Sequence, residues 1–339
     1  MTKFSSLALA GVAFFGLALN AAADSLDQPG SLLVFPWYDN TRGGIFTTTV
    51  TNTNSDFTPL TGNLFAGTVD VEYIYIDDVT CFEFNRTRRL TPNDTITVAS
   101  RFDNPNSTQG YVYVFAKSPT TGQAIKWDWL IGDSLIVAPD VIGAVDLAPI
   151  VYKGGAALAN GAPNDLDSDG RRDLNGLEYE QVSDQLLVPR FLGHVPLLSQ
   201  PELILIGLTG QSFTTVINFL IYNDNEEVFS VQYAFDCWTR VPLAQISGLF
   251  THEFLLSTNH NPNESAFGGT PQTGLETGWY RMDGAIAFST AASVSDPAFL
   301  AATLERLLVG IQAVGSLPYG IGDQANGDLV TIGPFADLN

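Results

Sequence analysis

The feature that most restricts this chain is a period of two in its apolar residues. Val69, Val71, Tyr73 and Tyr75 alternate with Asp70, Glu72, Ile74 and Ile76, so an extended segment here gathers β-branched and aromatic side chains on one face. Residues 46–54 alternate in the same way and close in an Asn-rich turn. Shorter strand patterns occupy 31–35, 95–98, 110–116 and 124–130, with turns at Pro92–Asp94 and Pro119–Gly122 between them. Strands this short with turns this regular predict antiparallel sheets closed as a sandwich or barrel.

Beyond residue 196 the pattern starts again. Residues 213–218 are similar to 46–51, Val231–Phe235 to Val71–Tyr75, and Gly278–Met282 to Gly110–Val114. These matches suggest an internal duplication, although any two β lobes share Thr-rich strands. The expectation is an all-β chain of two antiparallel β-sandwich lobes, residues 24–150 and 196–339. Between them lies a 151–195 connection with a central acidic loop and a short helix near 177–187. A second short helix is expected at 296–310. Asp296 and Pro297 would start it, and Phe299, Leu300, Leu304, Leu307 and Leu308 then recur at helical spacing.

Residues 1–23 read as a signal peptide: Lys3, an apolar run from Leu7 to Leu19, then Ala21–Ala23. No later stretch approaches the ~20 apolar residues of a membrane span, so no transmembrane segment is expected after cleavage. Removing Lys3 leaves 14 of 15 basic side chains against 36 acidic ones, a net of −22. Such a field repels nucleic acid and anionic lipid and attracts divalent cations. Cys81 and Cys237 in an exported chain suggest one disulfide, with two buried thiols as the alternative. It would staple lobe to lobe, across a pseudo-twofold if the cysteines follow corresponding strands.

The stretch from Asn164 to Asp173 points to one chemistry. Calcium takes six to eight hard oxygen ligands, so carboxylates must converge on a tight curve. Asp165, Asp167 and Asp169 stand at alternate positions before Gly170, which permits the sharp turn. The carbonyl of Arg171 and the carboxylate of Asp173 follow. This spacing resembles the calcium loop of EF-hand and thrombospondin type 3-like modules. The resemblance implies a Ca2+ cofactor held by Asp165, Asp167, Asp169, Arg171 and Asp173. It departs at the closing position, where an EF-hand has Glu and this chain has Gly176, leaving Glu178 or Glu180 to complete the shell. As a whole the chain resembles exported bacterial β-rich proteins, without a motif that names one family.

Catalytic signatures are poor. Of the three histidines, His252 precedes Glu253 but Leu256 stands where a metalloprotease has its second His, and no nucleophile elbow or phosphate loop is present. Trp127 and Trp129, on one face of an expected strand, offer stacking surfaces for a sugar, with sheet core as the plainer alternative. The expected function is an exported, non-enzymatic, calcium-binding structural or interaction protein, secreted or at the cell surface. Its partners would be copies of itself in a layer or filament, or another surface protein. The alternative is a carbohydrate-binding or carbohydrate-active protein.

Overall fold

This computed structural model describes residues 28–41, 44–105, 107–137, 144–208, 214–223, 226–258, 275–286, 298–307 and 312–329. The expected leader, the Asp296–Pro297 helix start and His260 lie outside them. The fold is all-β with antiparallel sheets.

The first lobe contains β1 (Leu32–Asp39), β2 (Ile45–Asn52), β3 (Val69–Asp77), β4 (Glu83–Leu90) and β5 (Thr95–Ala99). It continues with β6 (Gln109–Lys117), β7 (Leu130–Val137), β8 (Val145–Asp146) and β9 (Ile150–Tyr152). A short β10 (Asp173–Leu174) lies in the connection. The second lobe runs β11 (Val182–Leu192), β12 (Ser199–Gly207), β13 (Thr215–Asn223), β14 (Val228–Phe235) and β15 (Trp238–Pro242). It ends with β16 (Thr277–Ile286), β17 (Phe299–Leu307), β18 (Gln312–Ser316), β19 (Tyr319–Ala325) and β20 (Gly327–Asp328).

The two lobes are the same fold, strand for strand. The first has sheets ordered β4-β3-β6-β1-β9 and β5-β2-β7-β8; the second has β14-β13-β16-β11-β19 and β15-β12-β17-β18. The registers agree as well. Tyr38 faces Gly110 as Phe191 faces Gly278, and the bulge before Tyr38 reappears before Phe191. Asp77 opposes Gly110 as Asn223 opposes Gly278. Asn52 opposes Leu130 as Gly207 opposes Phe299. Register fixes which face every side chain takes, so this agreement is the duplication in structural form.

It also corrects the sequence matching. Gly278 does correspond to Gly110, but Thr215–Asn223 matches β3 rather than residues 46–51, and Val228–Phe235 matches β4 rather than Val71–Tyr75. Thr-rich alternation fits any half-buried strand and so cannot say which strand it is. Cys81 and Cys237 are bonded, with Cα atoms 6.1 Å apart. They join unlike places, however: the β3–β4 connection in one lobe and the β14–β15 junction in the other. The lobes are therefore not held across a pseudo-twofold through this bond.

Neither expected helix forms among the described residues, and strands take most of their length. Val182–Leu192 forms β11, so the second lobe begins inside the expected connection, and Phe299–Leu307 forms β17. The reason for the second misreading is burial on two sides. Phe299 and Ala301 enter the core of the second sandwich, while Leu300, Ala302 and Leu304 enter the interface between lobes. A strand apolar on both faces loses its period of two and imitates a helix. The described helices are short, among them Ser100–Asp103 and His252–Ser257.

The sheets follow one another as four-, five-, four- and five-stranded layers. The outer face of the first five-stranded sheet receives the outer face of the second lobe's four-stranded sheet. Ile204, Ile206, Leu300, Ala302 and Leu304 thereby join one cluster with Leu32, Val34, Ile76 and Tyr111. The edge strand β18 reaches β8, with Gly315 against Leu147 and Val145. At the contact, Trp238 donates its Nε1 hydrogen to the carbonyl of Pro36 at 2.8 Å, and the Arg240 guanidinium lies 4.1 Å above the Trp37 ring. Buried Glu202 accepts from Arg240 Nε at 2.7 Å and also pairs with Arg306.

Two measurements check this account. A Cys81→Ser/Cys237→Ser protein opens a loop of 156 residues, and chain entropy sets the loss of unfolding free energy at no more than about 5 kcal/mol, read from denaturant midpoints. Arg240→Ala leaves Glu202 buried with half its charge partners and strips the cover from Trp37; a loss of about 3 kcal/mol is expected in the same assay.

Candidate metal centre

The acidic loop leaves the first lobe after β9 and runs back over its outer sheet face before β11 begins. Its path is set by backbone bonds to that lobe, where Asn164 N–H donates to the Ala124 carbonyl and Lys126 N–H to that of Ala162, both at 2.9 Å, and by one across its own base, from Gly155 N–H to the Glu178 carbonyl. Arg172 anchors the middle of the loop. It is buried, its guanidinium lies 4.6 Å above the Phe115 ring, and Nη2 stands 3.5 Å from Asp165. Ser168 at φ +62° and Gly170 at φ +82° make the turns that fold the acidic segment on itself. A left-handed residue is inexpensive at Gly170 and less so at Ser168.

The folded loop sorts the sequence candidates. Asp165, Asp167 and Glu178 converge, each offering a carboxylate oxygen within 4.8 Å of the others. Two oxygens bound to one calcium at about 2.3–2.6 Å can lie up to roughly 5 Å apart, so these three fit a common ion. Glu178 is 2% exposed. Its Oε1 accepts the Leu166 N–H, while Oε2 has no hydrogen-bond partner; Asp165 Oδ1 is likewise buried and unpartnered. Burial, then the charge of Asp165, raises the Glu178 carboxyl above its ordinary value. Unpaired anionic oxygens at the buried end of a site that exposed Asp167 opens to solvent are what a hard cation satisfies.

Other candidates stand apart from the three. Asp169 folds back to accept the Arg171 N–H at 2.7 Å, and Glu180 lies outside the converging group, accepting the Lys153 N–H at 2.9 Å. Asp173 is in β10, directly opposite Asp328 of β20. This pairing was not visible in the sequence, because a carboxylate from the far end of the chain gives no local sign. Arg171 reaches Asp328 at 3.3 Å. Burial, then the charges of Asp328, Glu178 and Asp169, push Asp173 up to about 7. Beyond the pair, Leu329 is fully buried, with its N–H directed to the Arg172 carbonyl. The loop thus grips the end of the second lobe. A cleft of about 280 Å³ opens beside Asp165, Ser168 and Arg172.

The tryptophans are placed otherwise than expected. They lie outside any strand, and their rings meet at 67° with centroids 5.3 Å apart rather than coplanar. Trp127 is buried, its Nε1 donating to Asn52 Oδ1 at 3.1 Å, and Trp129 packs beside it. The pair belongs to the first core and presents no flat surface for a sugar ring. His252 accepts the Glu276 N–H on Nδ1 at 3.1 Å, and burial lowers it below its ordinary value.

No family model matches the chain, and no curated protein matches it. Among solved structures, a cryo-EM structure of broad bean stain virus aligns over 87% of this chain and 94% of that chain at 10% identity. Its TM-score of 0.18 is too low to carry an argument.

The raised Asp173 gives a pH dependence with a definite sign. Between about pH 4 and pH 7 the folded chain keeps a proton that the unfolded chain has lost, so stability falls as pH rises through that window and levels above it. Denaturation in a chelator across pH 4–8 should show this decline, and Asp328→Asn should flatten it.

Proposed function

We propose that this is an exported, non-catalytic structural or interaction protein whose two sandwiches are braced by a calcium ion in the connecting loop. The single observation that carries the reading is the convergence of Asp165, Asp167 and Glu178, with the Glu178 Oε2 buried and unpartnered. Carbonyls of the loop and water would supply the remaining oxygens. The Cys81–Cys237 bond fits an oxidising compartment, and among the described residues no helix is long and apolar enough to cross a membrane. The acidic charge suits an environment rich in divalent cations. Function then lies in surfaces rather than in chemistry, with copies of the chain or another surface protein as partners. No observation favours the carbohydrate reading, given the burial of Trp127.

Calorimetric titration of the folded chain tests the proposal. One calcium is expected, with a Kd of roughly 10⁻⁴ to 10⁻³ M, the range of extracellular modules. Glu178→Gln should weaken it by at least about tenfold, whereas Glu180→Gln should leave it unchanged. Calcium at a hundredfold above its Kd should add about 2.7 kcal/mol to unfolding. Titration without heat or stabilisation removes the proposal.

A further inference from the structure

Because the lobes repeat strand for strand, every surface of one has a counterpart on the other. The first five-stranded sheet buries its outer face under the second lobe and the acidic loop. The outer face of the second five-stranded sheet has no such cover among the described residues. Its cross-strand rows can be written from the register. Tyr222 pairs with Trp279, their rings stacked at 3.9 Å and 3°; Leu220, Arg281, Leu187 and Tyr319 form the next row; Asn218, Asp283, Gln185 and Ile321 the one after. The counterparts of the second row are Ile74, Tyr113, Val34 and Ile150, all buried. In the second lobe these positions are half-exposed, and Tyr319 is 65% exposed.

We propose that this face is a dimer interface, joining two copies of the chain with five-stranded sheet against five-stranded sheet about a twofold axis. Three observations select a second copy as the occupant. The face carries Arg281 and Asp283 two residues apart on one strand, so a twofold places the guanidinium of each copy against the carboxylate of the other. This neutral patch, in a chain with 36 acidic and 15 basic side chains, is where like-charged copies can approach. Five strands about 4.8 Å apart and seven to eleven residues long present roughly 700 Å², close to the ~800 Å² per partner of a stable interface. Trp279, Tyr222 and Arg281 on its inner strands are of the types that anchor such contacts.

The third observation excludes head-to-tail stacking, the obvious rival. Within the chain, a four-stranded face covers a five-stranded one through Ile204, Ile206, Trp238, Arg240 and Ala302. On the first lobe those positions are Thr49, Thr51, Thr95, Thr97 and Asp133. The threonines bond across strands, Thr49 to Thr97 at 3.0 Å and Thr51 to Thr95 at 2.8 Å, as a solvent-adapted end cap does. With one end capped and the other open, assembly stops at two.

The inference extends the structural reading above but needs no calcium, so the two fail separately. Sedimentation equilibrium of the disulfide-intact chain, with calcium and with chelator, is the test. A monomer–dimer equilibrium without larger species is expected. Leu220→Arg and Arg281→Glu should each raise the dissociation constant by at least about tenfold with an unchanged melting curve. Thr49→Arg should have no effect. A chain that stays monomeric at every concentration overturns the proposal, as does an open series of oligomers that Thr49→Arg dissolves.

Discussion

The structure depends on one constraint: the first five-stranded sheet must be covered on both faces. Its inner face is covered by β2 and β7 of its own sandwich, as in any two-layer fold. Its outer face carries Leu32, Val34, Ile76 and Tyr111, all fully buried, and cannot stand in water. The second lobe supplies the cover with its four-stranded sheet. The lobes are consequently not two beads on a string. The first is incomplete without the second, and the second likewise buries Ile204, Ile206, Leu300 and Ala302 only against the first.

That shared face gives the rest of the architecture its meaning. The disulfide pins a hairpin of the first lobe to the edge of the covering sheet. Arg240 and Arg306 bring positive charge to the contact of a strongly acidic chain, and both pair with the one buried carboxylate of Glu202 on their own sheet. The acidic loop covers what the second lobe does not reach, laying Arg172 over Phe115, and then receives β20 from the far end. Carboxylates collect there because both segments are pinned by backbone bonds and have nowhere else to go. A bound cation would turn that repulsion into a clasp.

Much of this could be read from the residues, and the limits are physical. The one-sided strand β2 keeps its period of two and was legible, and β3, though covered on both faces, was legible because Asp70 and Glu72 still mark one of them. Phe299–Leu307 was not, because cores on both sides erase the alternation, and in Val182–Leu192 the half-exposed Leu187 and the bulge between Val188 and Phe191 break it. The repeat was visible only at Gly110 and Gly278, where a glycine beside a bulge leaves little freedom; elsewhere register is kept while side chains change freely. In the loop, Asp165 and Asp167 were evident from spacing. Glu178 was one of two choices that only the folded path separates, and Asp328 is 155 residues from Asp173 in the chain (328 − 173).

A chain made from its N-terminus meets the consequence of two-sided burial while it is still growing. By the time Tyr152 is available the first sandwich can close on itself, yet its outer sheet stays bare until Leu304 and the rest of the second lobe have been synthesised. For that interval a wide apolar sheet stands in water beside unpaired strand edges, the condition under which partly made proteins stick to one another. Holdase binding during synthesis should therefore concentrate on Leu32–Phe35 and Tyr111–Phe115, and it should end abruptly when β17 arrives.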